Sequence, residues 1–187
     1  MNYCSNCGSE VELKIPDDDN RHRHVCLNCK TIHYHNPKIV TGCIPEQDGK
    51  ILLCKRAIEP QYGKWTLPAG FMENDESTTQ AALRETLEEA NAQVVIHDLY
   101  TVINLPHVNQ VYLLYRAALT DEGYSSGAES LEVDLYDEAD IPWDELAFPV
   151  MRETLRLYFN DVRDGNFTIR TGEIIWKDDG YDFNLHT

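Results

Sequence analysis

The stretch Trp65 to Ala92, WTLPAGFMENDESTTQAALRETLEEANA, constrains this chain more than any other. An apolar strand runs into Pro68-Ala69-Gly70, and an acidic loop follows from Glu73 to Glu76. Ser77 with Gln80 three residues on makes a capping box, which predicts a helix from about Thr78 to a left-handed stop at Asn91. At about 100° per residue, Glu85, Glu88 and Glu89 share one side of that helix. Leu83, Leu87 and Ala90 fall opposite and are expected to pack onto a core. Three carboxylates on one face repel each other unless a cation lies between them, and hard oxygen donors suit Mg²⁺ or Mn²⁺ shared with a substrate phosphate. A solvated acidic face is the other reading of the same residues.

The pattern extends well beyond the three acids. Gly70, five residues, Glu76, seven residues, Arg84-Glu85-Thr86-Leu87-Glu88-Glu89, one residue and Asn91-Ala92 closely resembles the Nudix box, G-x5-E-x7-R-E-U-x-E-E-x-G-U with U aliphatic. Gly63-x-Trp65-x-Leu67-Pro68-Ala69-Gly70 is similar to the usual lead-in. Thr86 departs from an aliphatic position and Asn91 from a glycine. Neither is a charged position, and Asn tolerates the backbone that glycine would supply. The resemblance implies a Nudix-type α/β/α sandwich with a mixed sheet over about residues 39–160. It further implies that Glu85, Glu88 and Glu89, with the Gly70 carbonyl, hold the catalytic metal, and that Arg84 pairs with Glu76 to hold the site together. A loop carboxylate often serves such enzymes as base, and Glu132 is the first choice here, with Glu129 second.

Composition narrows the class of substrate. Formal charge is −16, from 16 basic and 32 acidic residues. Residues 1–38 hold five of each sign, so the imbalance lies wholly in the remainder. Such a body repels a nucleic-acid backbone, which disfavours nucleic acid as a partner, and it suits a small phosphorylated molecule arriving with a divalent cation. No apolar run is long enough to cross a membrane, and MNYCSNCGSE carries neither the basic start nor the apolar stretch of a leader. A cytoplasmic location is the expectation.

Residues 1–37 read as a separate unit ahead of a domain over 38–187. Cys4-x2-Cys7 and Cys26-x2-Cys29, separated by 18 residues, have the spacing of a tetrahedral Cys₄ zinc site. So short a segment builds little apolar core, and structural Zn²⁺ would supply the missing stability. His22, His24, His33 and His35 read as ordinary surface residues of this ribbon. Cys43 and Cys54, in apolar strands, read as buried inert thiols.

Asn36-Pro37 ends the ribbon. Lys38 to Ile44 and Lys50 to Arg56 then read as a strand pair turned by Asp48-Gly49. A long strand from Gln93 to Leu105, bent near His97-Asp98, turns at Pro106 to Asn109 into another over Gln110 to Leu119. Thr120 to Ser130 reads as a mobile loop, Val133 to Tyr136 as a short strand, and Val150 to Arg163 as a helix. Phe167–Arg170 and Glu173–Trp176 read as a hairpin around Thr171-Gly172, with an irregular polar tail beyond.

The ribbon, the His33-Tyr34-His35-Asn36-Pro37 junction and Trp65 to Gly70 together resemble a zinc-ribbon Nudix group that includes FAD and ADP-ribose pyrophosphatases. That resemblance implies hydrolysis of the diphosphate bond in an ADP-containing derivative, FAD or ADP-ribose, with release of AMP. Tyr34, Tyr62 and Phe71 are the stacking candidates for a ring, and Lys55 and Arg56 for a phosphate. NADH pyrophosphatases share the ribbon but carry a further SQPWPFPxS-like motif. Here His107-Val108-Asn109-Gln110-Val111-Tyr112 stands in that region without a match. A non-catalytic nucleotide-sensing regulator is the competing class, and retention of all three glutamates favours the enzyme. A homodimer would be ordinary for the family.

Overall fold

In the computed structural model of the chain, which describes residues 1–120 and 123–186, Met1–Pro37 and Lys38–Thr187 form separate units. The first is a three-stranded antiparallel sheet of β1 (Val11–Lys14), β2 (Arg23–Cys26) and β3 (Ile32–His33), in that order. Its two Cys-x2-Cys turns bring all four sulfurs within 4.8 Å of one another.

The second unit begins with β4 (Lys38–Gln47) and β5 (Lys50–Arg56). Asp48 and Gly49 both take positive φ (53° and 82°), as a two-residue hairpin turn with the twist of its strands requires. The hairpin pairs only at Glu46–Ile51 and Gln47–Lys50, and then its strands part. Into the fork come β6 (Trp65–Thr66), paired to β5, and β7 (Ala69–Phe71), paired to β4. This fork carries Gly70 to the edge of the site.

The helix α1 (Thr78–Ala90) follows, then β8 (Val94–Leu105), β9 (Gln110–Leu119), β10 (Ser130–Tyr136), α2 (Pro149–Asp164), β11 (Arg170–Lys177) and β12 (Gly180–Leu185). The sheet runs β10-β5-β4-β9-β8-β11-β12, with parallel pairs β4–β9 and β8–β11 and antiparallel pairs elsewhere. Alternation along β4 explains the layers. Cys43 packs with Ala82 of α1, while its neighbour Ile44 packs with Met151 and Leu155 of α2. One helix therefore covers each face, the mixed α/β/α sandwich expected. Cys43 and Cys54 are both buried, and burial pushes the Cys43 thiol up to about 11, so it stays protonated.

Local signals are realised closely. Ser77 and Gln80 form the reciprocal capping box and Asn91 ends α1 in the left-handed region. Gly165 does the same for α2. The bend in β8 is real, with register shifts between Ile96 and Asp98 and between Leu99 and Thr101.

Three expectations need correction. Leu83 and Leu87 do not pack on the core: they are 39% and 50% exposed, while Ala82, Glu85, Thr86 and Glu89 are buried. The acidic side of α1 faces inward because small residues beside it let the helix lie close to the sheet. Thr171-Gly172 is no turn, since β11 runs straight through it. The hairpin instead turns at Asp178-Asp179, and the polar tail forms β12. Gly172 is there for clearance, because a Cβ would lie 2.8 Å from the Asn184 carbonyl. Of the loop between β9 and β10, Asp121 and Glu122 lie outside the described residues. Ser125 to Gly127 are tied to the end of α1: the Ser125 and Gly127 amides donate to the Ala90 and Glu89 carbonyls at 2.8 and 3.0 Å.

Candidate active site

The sheet fork, the inward face of α1 and the start of α2 enclose a crevice of about 840 Å³. Gly70, Arg84, Glu85, Glu88, Glu89 and Glu129 line its acidic part. Glu89 is buried and accepts from the Ala69 amide at 3.1 Å. Loss of solvation, with Glu85 nearby as a like charge, pushes its carboxyl up to about 8. Burial raises Glu85 as well, opposed by the Arg84 guanidinium. Glu88 is the open member of the three.

Arg84 spans the acids. It donates to Glu76 at 2.7 and 3.1 Å, to Glu85 at 2.7 Å, to Glu88 at 3.0 Å and to the Phe71 carbonyl at 3.1 Å. The Glu76 carboxylate is held below the usual range by Arg84 first and by the Glu73 amide second. The expected Arg84–Glu76 pair is thus part of a larger fork that steadies loop, helix and β7 together. A Cβ at Gly70 would lie 2.3 Å from the Glu85 carboxylate, so any side chain there would displace that carboxylate.

Among the described residues, the one group of three or more candidate ligands drawn to a common point is Cys4, Cys7, Cys26 and Cys29. Cys4 and Cys29 sulfurs are 3.7 Å apart, and those of Cys7 and Cys26 are 3.4 Å apart. A tetrahedral centre with metal–sulfur bonds of about 2.3 Å requires sulfurs about 3.8 Å apart, so the set fits a metal. Backbone amides of Asn6 and Cys29 point at the Cys4 and Cys26 sulfurs, both at 3.4 Å, and would stabilise thiolates. The glutamates are different, because Arg84 lies between Glu85 and Glu88. Their all-oxygen donor set nevertheless fits a hard divalent cation, and the two buried members, whose charged forms burial disfavours, would be stabilised as carboxylates by one.

The other predicted site residues are scattered. Glu132 pairs with Lys55 at 2.7 Å, across β10 and β5, and is absent from the crevice lining. Both are therefore engaged with each other. Glu129 does line the crevice, as does Phe71, with the Lys38 amine 4.8 Å from its ring centre. Tyr62 is exposed and outside the lining. Tyr34 belongs to the first unit, where the Arg23 guanidinium covers its ring at 5.0 Å. Of the basic pair, Arg56 reaches the crevice. It is buried, donates to the Pro60 carbonyl at 2.9 Å and lies 5.2 Å from the Phe148 ring centre.

Sequence reasoning missed His107, Tyr112, Phe148 and Trp176, which form much of the aromatic wall. The period-two run Ile174-x-Trp176 was the available signal. It puts both side chains on one face of β11, and β11 lies beside β8.

The comparisons with known proteins agree with this geometry. The family profile described as Nudix N-terminal, a zinc-ribbon profile, matches residues 2–35, and that of the NUDIX domain matches residues 36–158. A crystal structure of a NUDIX hydrolase from Nitrosomonas europaea is similar at 54% identity and a TM-score of 0.90, covering 93% of this chain and 99% of that one. An ADP-ribose pyrophosphatase of Methanocaldococcus jannaschii is 30% identical over 121 residues, 62% of this chain and 69% of that protein. A protein named NAD-capped RNA hydrolase NudC, from Vibrio atlanticus, is 33% identical over 96 residues, spanning half of this chain and a third of its own length (50% and 33%). With a domain profile over most of its length and a Nudix hydrolase fold matched nearly end to end, this chain belongs to the Nudix hydrolase family.

Proposed function

We propose that this chain hydrolyses the diphosphate bridge of an ADP-containing nucleotide derivative, ADP-ribose or FAD, releasing AMP. One observation carries the reading: the acidic face of α1, with Glu85 and Glu89 buried and Glu88 open, lines a crevice that aromatic and apolar side chains line as well. Its volume of about 840 Å³ falls in the range of small-molecule sites. The similarity to an ADP-ribose pyrophosphatase supports the choice of bridge.

Glu85, Glu88 and Glu89, with the Gly70 carbonyl, would hold Mg²⁺ or Mn²⁺, and Cys4, Cys7, Cys26 and Cys29 would hold structural Zn²⁺. When bound, the hard cation neutralises the negative oxygens that otherwise repel a nucleophile. Arg84 and Glu76 keep the three glutamates in register with β7. Arg56, a buried guanidinium beside these acids, donates to a phosphate oxygen. Glu129 takes the proton from the attacking water. It replaces Glu132 in that role, because the Glu132 carboxylate is committed to Lys55.

The test is incubation with ADP-ribose, FAD and NADH in the presence of Mg²⁺, followed by chromatography. AMP with ribose 5-phosphate, or AMP with FMN, is the expected outcome. Exclusive cleavage of nucleoside triphosphates with release of inorganic pyrophosphate would sink the bridged-diphosphate reading and leave the family membership standing.

A further inference from the structure

The crevice reaches beyond the part of the chain that the NUDIX profile covers. That profile ends at residue 158, yet Ile174 and Trp176 of β11 line the cavity. They arrive there because β11 pairs in parallel with β8, matching Gly172 to Ile103 and Glu173 to Asn104. Ile174 then continues the row made by Leu105 and Gln110, and Trp176 overhangs the turn that carries His107 and Val108.

Order across the sheet fixes where this end lies. From β7, which bears Gly70, the neighbours are β4, β9, β8 and β11. Four lateral steps of about 4.8 Å make a span of roughly 19 Å. One phosphate group cannot touch both ends. A ligand that uses both must cross a floor built by Val40, Tyr112, Leu105 and Ile174, which favours an uncharged body there.

Trp176 has the chemistry for the far end. It is 49% exposed although it lines a cavity. Its neighbours meet it at steep angles: His107 at 5.6 Å and 68°, Tyr181 at 6.0 Å and 60°. Phe71 and Val108 are likewise exposed within the same cavity. Large apolar side chains left open inside a crevice mark a binding surface.

We infer that the C-terminal hairpin supplies a ring-recognition subsite, in which Trp176, flanked by His107, stacks a planar heterocycle of a nucleoside diphosphate derivative. This rests on the function proposed above and adds the residues that recognise the ring. Of the stacking candidates Tyr34, Tyr62 and Phe71, Phe71 lines the crevice, and β11 adds Trp176 to it from beyond the residues that the NUDIX profile matches.

The test is equilibrium binding in Mg²⁺ of two probes: a non-hydrolysable methylene-bridged ADP-ribose, and inorganic pyrophosphate. Base–aromatic stacking is lost on alanine substitution at a cost of about tenfold or more in affinity. Trp176→Ala should weaken the methylene analogue by about that factor and leave pyrophosphate unchanged, and Trp176→Phe should restore most of the loss. The inference is overturned if Trp176→Ala binds the analogue within about twofold of the wild type. It is equally overturned if pyrophosphate weakens in step, since a disturbed hairpin would then explain both. A wild-type protein that binds neither probe removes the nucleotide reading itself, whereas failure confined to the Trp176 arm removes only this subsite.

Discussion

Glu129 and Glu132 are three residues apart, and their surroundings give them different fates. Glu129 faces the crevice, and its charge is felt by both Glu85 and Glu89. Glu132 is half-exposed and paired with Lys55. Replacing Glu129 with Gln should lower kcat by about 10²-fold or more, while Glu132→Gln should stay within about threefold. Steady-state kinetics of the two variants separates the roles, and the reverse order would return the base to Glu132. Glu76 gives a prediction about pH. Arg84 and the Glu73 amide hold its folded-state carboxyl below the ordinary value. The stability it contributes is therefore present above the unfolded value and is lost as pH falls through the folded one. Thermal unfolding should show the wild type losing more Tm than Glu76→Gln on acidification from neutral pH, and parallel curves would contradict the pairing.

The elements of this chain were legible where their signals are local. Ser77, Gln80 and Asn91 delimit α1 because caps act within one turn, and Asp48-Gly49 sets its hairpin for the same reason. Tertiary context decided what was not legible. The inward face of α1 was misread because Leu83 and Leu87 are its most apolar residues. The sheet instead receives the small Ala82 and Thr86, which admit Glu85 and Glu89 to the interior. Gly172 imitates a turn residue but serves close packing against β12. Asn91 has a role that only the structure could reveal. Its side-chain amide donates to the Ser125 hydroxyl at 3.1 Å and the Ser126 carbonyl at 2.9 Å, latching the loop that leads to Glu129. Asn91→Gly keeps the left-handed backbone and removes only the latch. Faster amide exchange at Ser125 and Gly127, with α1 unchanged, is the expected result. Unaltered exchange there would show that the backbone bonds alone hold the loop.

At the scale of the whole molecule, the two units draw on different sources of stability. The larger has a continuous core from Ile44 and Leu53 through Tyr100 to Leu155. The smaller buries only Cys4, Pro16, Val25 and Cys26 as apolar side chains, which is too little to hold a fold without a metal. Reduced, carefully purified protein should contain one zinc per chain by elemental analysis, and removing it should unfold residues 1–37. No helix among the described residues is long and apolar enough to cross a membrane. The central claim is that the inward acidic face of α1 is the catalytic centre for a bridged diphosphate. Its most direct test is AMP release from ADP-ribose at saturating Mg²⁺ by the wild type, Glu88→Gln and Glu89→Gln. Turnover lower by about 10²-fold or more in both variants, with unchanged circular dichroism, is the predicted result; near-native AMP release by both would contradict it.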